Sequence, residues 1–303
     1  CGRHRIYVPF RAVCVERVVH AVGAVALVGA GAAMLLVAIG GLAPGVDTGG
    51  ALLVMGIVSA VVVTAFGGVA ARETRWALRA DGFEVTRTDL GNAAAVALAA
   101  PITFLLSVEV GIGAVVASAL VGLCAQLVTE TYGAPAYCGS FVGMATPVGG
   151  ADFAAVTIAG LVAALVFVAT KQVFNGFGGK LGTTAFFGCL AVAAAGGLLP
   201  GAGSVPEPSV SAALVAAAAV AAVVTFVVSV QLGHGPVVGS AVVGIVAGVV
   251  CPPLFAAGDA IAAVAFCASF AGMATPERIP GLGAMLLAGV ISGMVFVGAA
   301  PFF

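Results

Sequence analysis

The chain has 303 residues, 62% of them hydrophobic and 8% charged, with a net charge of −1 and a mean hydropathy of +1.24. So few polar side chains cannot clothe a water-soluble protein of this length, so the composition excludes a soluble domain of any size and predicts a polytopic membrane protein. No basic tract offers itself to nucleic acid, and the seven cysteines show no Cys-x-x-Cys spacing; they read as small apolar side chains, neither metal ligands nor disulfides.

In chain order, residues 1–17 form a basic flank with Arg3, His4, Arg5, Arg11 and Arg17. Two apolar runs, 18–43 and 51–71, are long enough to span a bilayer at about 20 residues each. Between them lies Ala-Pro-Gly-Val-Asp-Thr-Gly-Gly, a turn by its proline and glycine content. The segment from Ala71 to Asn92 is the largest polar stretch and is read as a loop, with Arg72, Arg75, Arg79 and Arg87 beside Glu73, Asp81, Glu84 and Asp89. By the positive-inside rule, this loop and the N-terminus are expected in the cytoplasm. Residues 1–92 thus comprise a flank, a helical hairpin and a cytoplasmic loop.

The rest of the chain is organised by a duplication. Residues 137–147 (Tyr-Cys-Gly-Ser-Phe-Val-Gly-Met-Ala-Thr-Pro) and 266–276 (Phe-Cys-Ala-Ser-Phe-Ala-Gly-Met-Ala-Thr-Pro) agree at eight of eleven positions, at an offset of 129. Upstream, residues 111–122 match 233–244 at eight of twelve positions, at an offset of 122. Such self-similarity fixes architecture before any other feature does. Repeat unit one covers residues 93–176 and unit two 209–303, separated by a glycine-rich loop and linking helix over 177–208. The second copy reaches Phe303 where the first reaches Phe174, and further chain is expected beyond it.

Two topologies fit the duplication. A motif segment that dips into the bilayer and returns makes the units parallel and puts Lys171 and Lys180 outside. One that crosses makes the units inverted and puts Lys171, Lys180 and Arg278 inside, with Glu207 outside. Asp259 to Ala274 is sixteen residues, about 24 Å as helix, close to a thin hydrocarbon core of about 27–30 Å. Crossing is therefore expected. The predicted fold is an all-α, multi-pass protein of the cell membrane: an N-terminal hairpin plus two inverted repeats with short motif helices, about eleven crossings in all.

On a helical wheel the motif has two faces. Ala136, Gly139, Gly143 and Thr146 share one, which is expected to pack against the small face of the preceding helix (Gly111, Ser118, Gly122). Tyr137, Ser140, Phe141 and Met144 share the other, matched by Phe266, Ser269, Phe270 and Met273. Duplicated short segments bounded by glycine and proline are the strongest sequence pointer to a transport site. The expected path is lined by Ser140, Phe141, Met144, Thr146, Ser269, Phe270, Met273 and Thr275, its hydroxyls bonding the solute and its paired phenylalanines forming a constriction. Glu130 and Asp259 are equivalent acids ahead of the two motifs, expected as helix N-caps, with cation or proton attraction as the sharper role. Glu109, matched by Gln231, is a candidate for proton coupling.

No nucleophile elbow, acidic pair or nucleotide loop is present, and three histidines do not make a metal or haem site, so neither enzyme activity nor a cofactor is expected. The expected function is a channel or secondary transporter for a small solute or ion. The alternative is a non-transporting subunit or scaffold of a membrane complex. The expected partners are the bilayer, the solute, and another copy or a membrane subunit.

Overall fold

A computed structural model describes residues 10–42, 49–79, 84–145, 152–196 and 204–302, with side chains other than those of residues 10–17, 49–58, 79 and 302. Within these ranges the chain is all-helical, without strands. The helices are α1 (Phe10–Leu42), α2 (Gly49–Arg79), α3 (Arg87–Val108), α4 (Ala114–Val128), α5 (Glu130–Val142), α6 (Phe153–Ala169), α7 (Gly179–Gly196), α8 (Pro208–Phe226), α9 (Pro236–Leu254), α10 (Gly258–Gly272) and α11 (Gly281–Ala299). A π-helical turn, Val227–Gln231, extends α8. Six of these helices are long and apolar enough to cross a membrane, counting α1 from Val18 and α8 with its π turn: α1, α3, α7, α8, α9 and α11. The protein is an all-α membrane protein. The basic flank over residues 1–9, the turn over 43–48 and Thr146 lie outside the described residues.

The distribution of side chains follows from a solvent that is itself apolar. Alanine dominates the interior, with Ala100, Ala117, Ala119, Ala163, Ala218, Ala222 and Ala268 fully buried, while Leu36, Val61, Leu98, Leu127, Leu165, Val246 and Leu287 face outward. Lipid rewards branched side chains as well as a protein core does, so helices gain by close backbone approach through small residues instead.

The polar segment from Ala71 to Asn92 differs from its expectation as a loop. Arg72 to Arg79 continues α2, and Arg87 to Asn92 opens α3. Arginine, glutamate and leucine are good helix formers, and the charge on the first two does not end a helix. The start of α3 is fixed by a capping box, in which the Thr86 side chain accepts from Asp89 N–H and Asp89 accepts from Thr86 N–H. Asp89 also takes Lys171 Nζ at 2.7 Å, which ties the end of α6 to the start of α3.

Around this tie the remaining basic residues gather. Arg278, between α10 and α11, meets Glu73 of α2 at 3.1 Å and covers the Phe177 ring. Lys180 donates to the Thr170 carbonyl at 2.6 Å and to Asn175 Oδ1 at 2.9 Å. Thr275 N–H donates to Gly176 carbonyl, joining the glycine-rich loop to the end of α10. The ends of α2, α6 and α10 and the starts of α3 and α7 therefore lie at one end of the molecule. Helix α1 runs from this end to the other. Gly23 abuts Thr170, and Gly41 abuts the Gly298 backbone at the end of α11. Those two glycines are eighteen residues apart, about 27 Å along a helix.

The helices that carry matching sequence pack alike. Helix α3 packs on α5 and α6 as α8 packs on α10 and α11; α4 packs on α5 as α9 packs on α10; α4 and α9 meet each other. The loops ahead of α4 and α9 also match. Gly111 and Gly113 have φ of 77° and 82°, Gly233 and Gly235 φ of 74° and 84°, a left-handed backbone that glycine adopts without strain.

Candidate functional site

The two motifs meet where α5 and α10 end. The Phe141 and Phe270 rings lie 4.2 Å apart, centroid to centroid. Tyr137 and Phe266, one helical turn earlier, complete a four-ring cluster with every pair in contact. The distances come in matched sets: Tyr137–Phe141 at 4.7 Å with Phe266–Phe270 at 5.1 Å, and Tyr137–Phe270 at 5.7 Å with Phe141–Phe266 at 5.8 Å. Tyr137–Phe266 is the widest at 5.9 Å. Tilted and edge-on geometries predominate, as aromatic quadrupoles prefer. Met273 belongs to the same apolar core, with Met144 packed against it.

Each serine of the motif is fully buried and hydrogen-bonded to the helix before it. Ser140 Oγ lies 2.8 Å from Ser118 Oγ, and Ser269 Oγ 2.6 Å from Ser240 Oγ. Ser140 donates to Tyr137 carbonyl at 2.8 Å and Ser269 to Phe266 carbonyl at 2.6 Å. A hydroxyl has one proton to give. Ser118 must therefore donate to Ser140, and Ser240 to Ser269. Tyr137 Oη sits 2.9 Å from Ser240 Oγ. Because Ser240 has already spent its proton on Ser269, the phenol donates to Ser240. The result is a one-way chain from Tyr137 through Ser240 and Ser269 to a backbone carbonyl, linking the two units. The equivalent of Tyr137 is Phe266, so Ser118 receives no matching phenol.

The small face of the motif packs differently from its expectation. Gly139 and Gly143 lie against the α3 backbone at Val96 and Ala100, and Gly272 against α8 at Ala222 and Thr225. The glycines of the preceding helices serve the other face: Gly122 admits the Tyr137 ring and Gly244 the Phe266 ring. A wheel shows which residues share a face but not which neighbour the face meets. Here the rings need the room that α4 and α9 provide.

The ionisable candidates are not brought to this cluster. Glu109 is exposed at the C-terminal cap of α3. Glu130 and Asp259 are exposed in the first turns of α5 and α10, while the N-cap positions belong to Thr129 and Ala257. Their carboxylates complement the helix dipoles from inside the helix, which corrects the expectation of side-chain caps. Thr275 is exposed beside Glu277, whose carboxyl it holds below the usual range. Among the described residues, no group of three or more His, Cys, Asp or Glu side chains could hold a metal ion.

Two residues that sequence reasoning missed stand beside the motif. Thr103 of α3 packs against Gly143 and Thr225 of α8 against Gly272. Both are fully buried, and neither hydroxyl has a hydrogen-bond partner. The signal was available: Thr103-Phe104-x-x-Ser107-Val108 and Thr225-Phe226-x-x-Ser229-Val230 agree at the offset of 122 already established downstream. It lies in a run of alanine and valine where chance matches hide it. The chain matches no family model, curated protein or solved structure.

Proposed function

We propose that this protein is a membrane channel or secondary transporter for a small solute, with its path between the two motif segments and its gate at the Phe141–Phe270 contact. The observation that carries this reading is the meeting of two short helix ends, one from each copy of the motif, at rings 4.2 Å apart. Shortened helices are tolerated at membrane depth where they border a protein-lined path. The ring cluster is the closed state of such a path, and Ser140, Ser269, Met144 and Met273 are its walls.

The reading includes two inverted repeats and about eleven crossings, with the N-terminus in the cytoplasm. Its support is the gathering of Lys171, Lys180 and Arg278 with Glu73 and Asp89, since parallel units would separate the two lysines from the polar segment after α2. The matched ring distances fit a two-fold relation between the motifs, which inverted and parallel units share. Single cysteines, in a background free of the native ones, test the arrangement. Gly179→Cys and Glu277→Cys are expected to react with an impermeant thiol reagent from the cytoplasmic side, and Ser204→Cys from the opposite side. Reaction of Gly179→Cys and Ser204→Cys in the reverse sense would mean parallel units.

The filled interface between the motifs also favours a second reading, a non-transporting subunit held together by the same rings. Reconstituted protein that moves neither ions nor neutral solutes would decide for it.

A further inference from the structure

The two motif serines are committed to protein partners, and the two hydroxyls beside them are not. Thr103 and Thr225 sit at equivalent positions, each against the glycine two residues beyond a gate phenylalanine. A hydroxyl on a helix has an easy partner in the carbonyl four residues back. Thr157, Thr170, Thr183, Thr184 and Ser292 all use it here. Thr103 and Thr225 decline it, although burial makes an unpaired hydroxyl costly. One such residue would be an isolated defect. Two, related by the duplication and each packed on a glycine of a motif helix, are a pattern.

We infer that Thr103 and Thr225 are the solute-binding hydroxyls, one packed against each of the two helices that carry the Phe141–Phe270 gate, and that the solute is a small uncharged molecule able to donate and accept hydrogen bonds. This rests on the transport reading above and deepens it. Each hydroxyl can give one proton and accept at its lone pairs. The surroundings are apolar: Ala100, Phe104 and Val142 by Thr103, and Ala222 and Phe226 by Thr225, all buried. The charged residues that define the polar end (Glu73, Asp89, Lys171, Lys180 and Arg278) are engaged with one another or with backbone and amide groups. Glu109, Glu130 and Asp259 are exposed at helix ends. Among the described residues, an ion at the threonines would find no buried counter-charge left unengaged, and burying an unpaired charge is far costlier than burying an amide or a polyol.

The test uses full-length protein in lipid vesicles, with urea and glycerol as probes, light scattering to follow their entry and thermal unfolding as a second readout. Wild type is expected to pass at least one of the two well above protein-free vesicles, and to leave potassium and chloride excluded. Thr103→Val and Thr225→Val each lower that flux about two- to tenfold, the worth of one neutral hydrogen bond, and Thr→Ser at either position restores it. The valine variants also unfold at or above the wild-type temperature, because they remove an unpaired oxygen without changing shape. If a valine lowers that temperature, Thr→Ala at the same position repeats the comparison. Wild-type flux left unchanged by both valines overturns the assignment while leaving transport standing. Ion flux without urea or glycerol flux overturns the solute class. No flux of any kind removes the transport reading and this inference with it.

Discussion

Gly143→Leu and Gly272→Leu will each yield protein that extracts poorly and unfolds at a clearly lower temperature than wild type. At Gly143 even a Cβ would run into the Ala100 carbonyl and the Thr103 side chain, and at Gly272 into the Ala222 carbonyl and Thr225. Backbone cannot retreat as a flexible side chain can. Overpacking a tight contact costs about 1–3 kcal/mol, and a leucine on a backbone-to-backbone contact belongs at the upper end. Gly67 and Gly283 are the controls, since nothing lies within 4 Å of a Cβ added at either. Their leucine variants are expected to unfold as wild type does. Full thermal stability in both motif variants would sink the close-contact argument.

The second large effect is at the Phe141–Phe270 contact, the proposed gate. Phe141→Ala and Phe270→Ala are each expected to raise solute flux or loosen selectivity, because each removes one ring of the 4.2 Å pair. They will also weaken the fold, since truncating a core phenylalanine typically costs about 3–5 kcal/mol. Phe141→Leu and Phe270→Leu keep more of the packing and separate the two effects. Equivalent changes should act alike, so a rise in flux with one variant and none with the other would argue against a shared constriction. Lost stability with no gain in flux from either would favour the non-transporting reading.

How much of this was legible beforehand depends on what each feature needs. Composition gave membrane residence, because solvent acts on every residue at once. The duplication pointed to Phe141 and Phe270 as a pair, since a repeated motif names equivalent residues without any coordinates. It did not point to Tyr137 and Ser240. Their bond joins a residue of one unit to the preceding helix of the other, and exists because position 137 is tyrosine where position 266 is phenylalanine. Such a contact follows from how α4 and α9 meet, which no periodicity records. Nor did the duplication show that the motif serines have partners of their own, since Ser118 and Ser240 looked like members of a small face. They are that, and they are also the donors to Ser140 and Ser269.

An interior built of alanine and glycine, with leucine and valine turned outward, has a calorimetric consequence. Soluble domains gain about 12–15 cal/mol/K of heat capacity per residue on unfolding, because apolar groups pass from a core into water. Here a helix that leaves its neighbours within a bilayer or micelle exchanges one apolar surrounding for another. The heat-capacity increment per residue should therefore be a small fraction of the soluble value, and stability should change with temperature along a shallow curve. The molecule's cohesion resides in dispersion between closely spaced backbones, a force that cooling does not weaken.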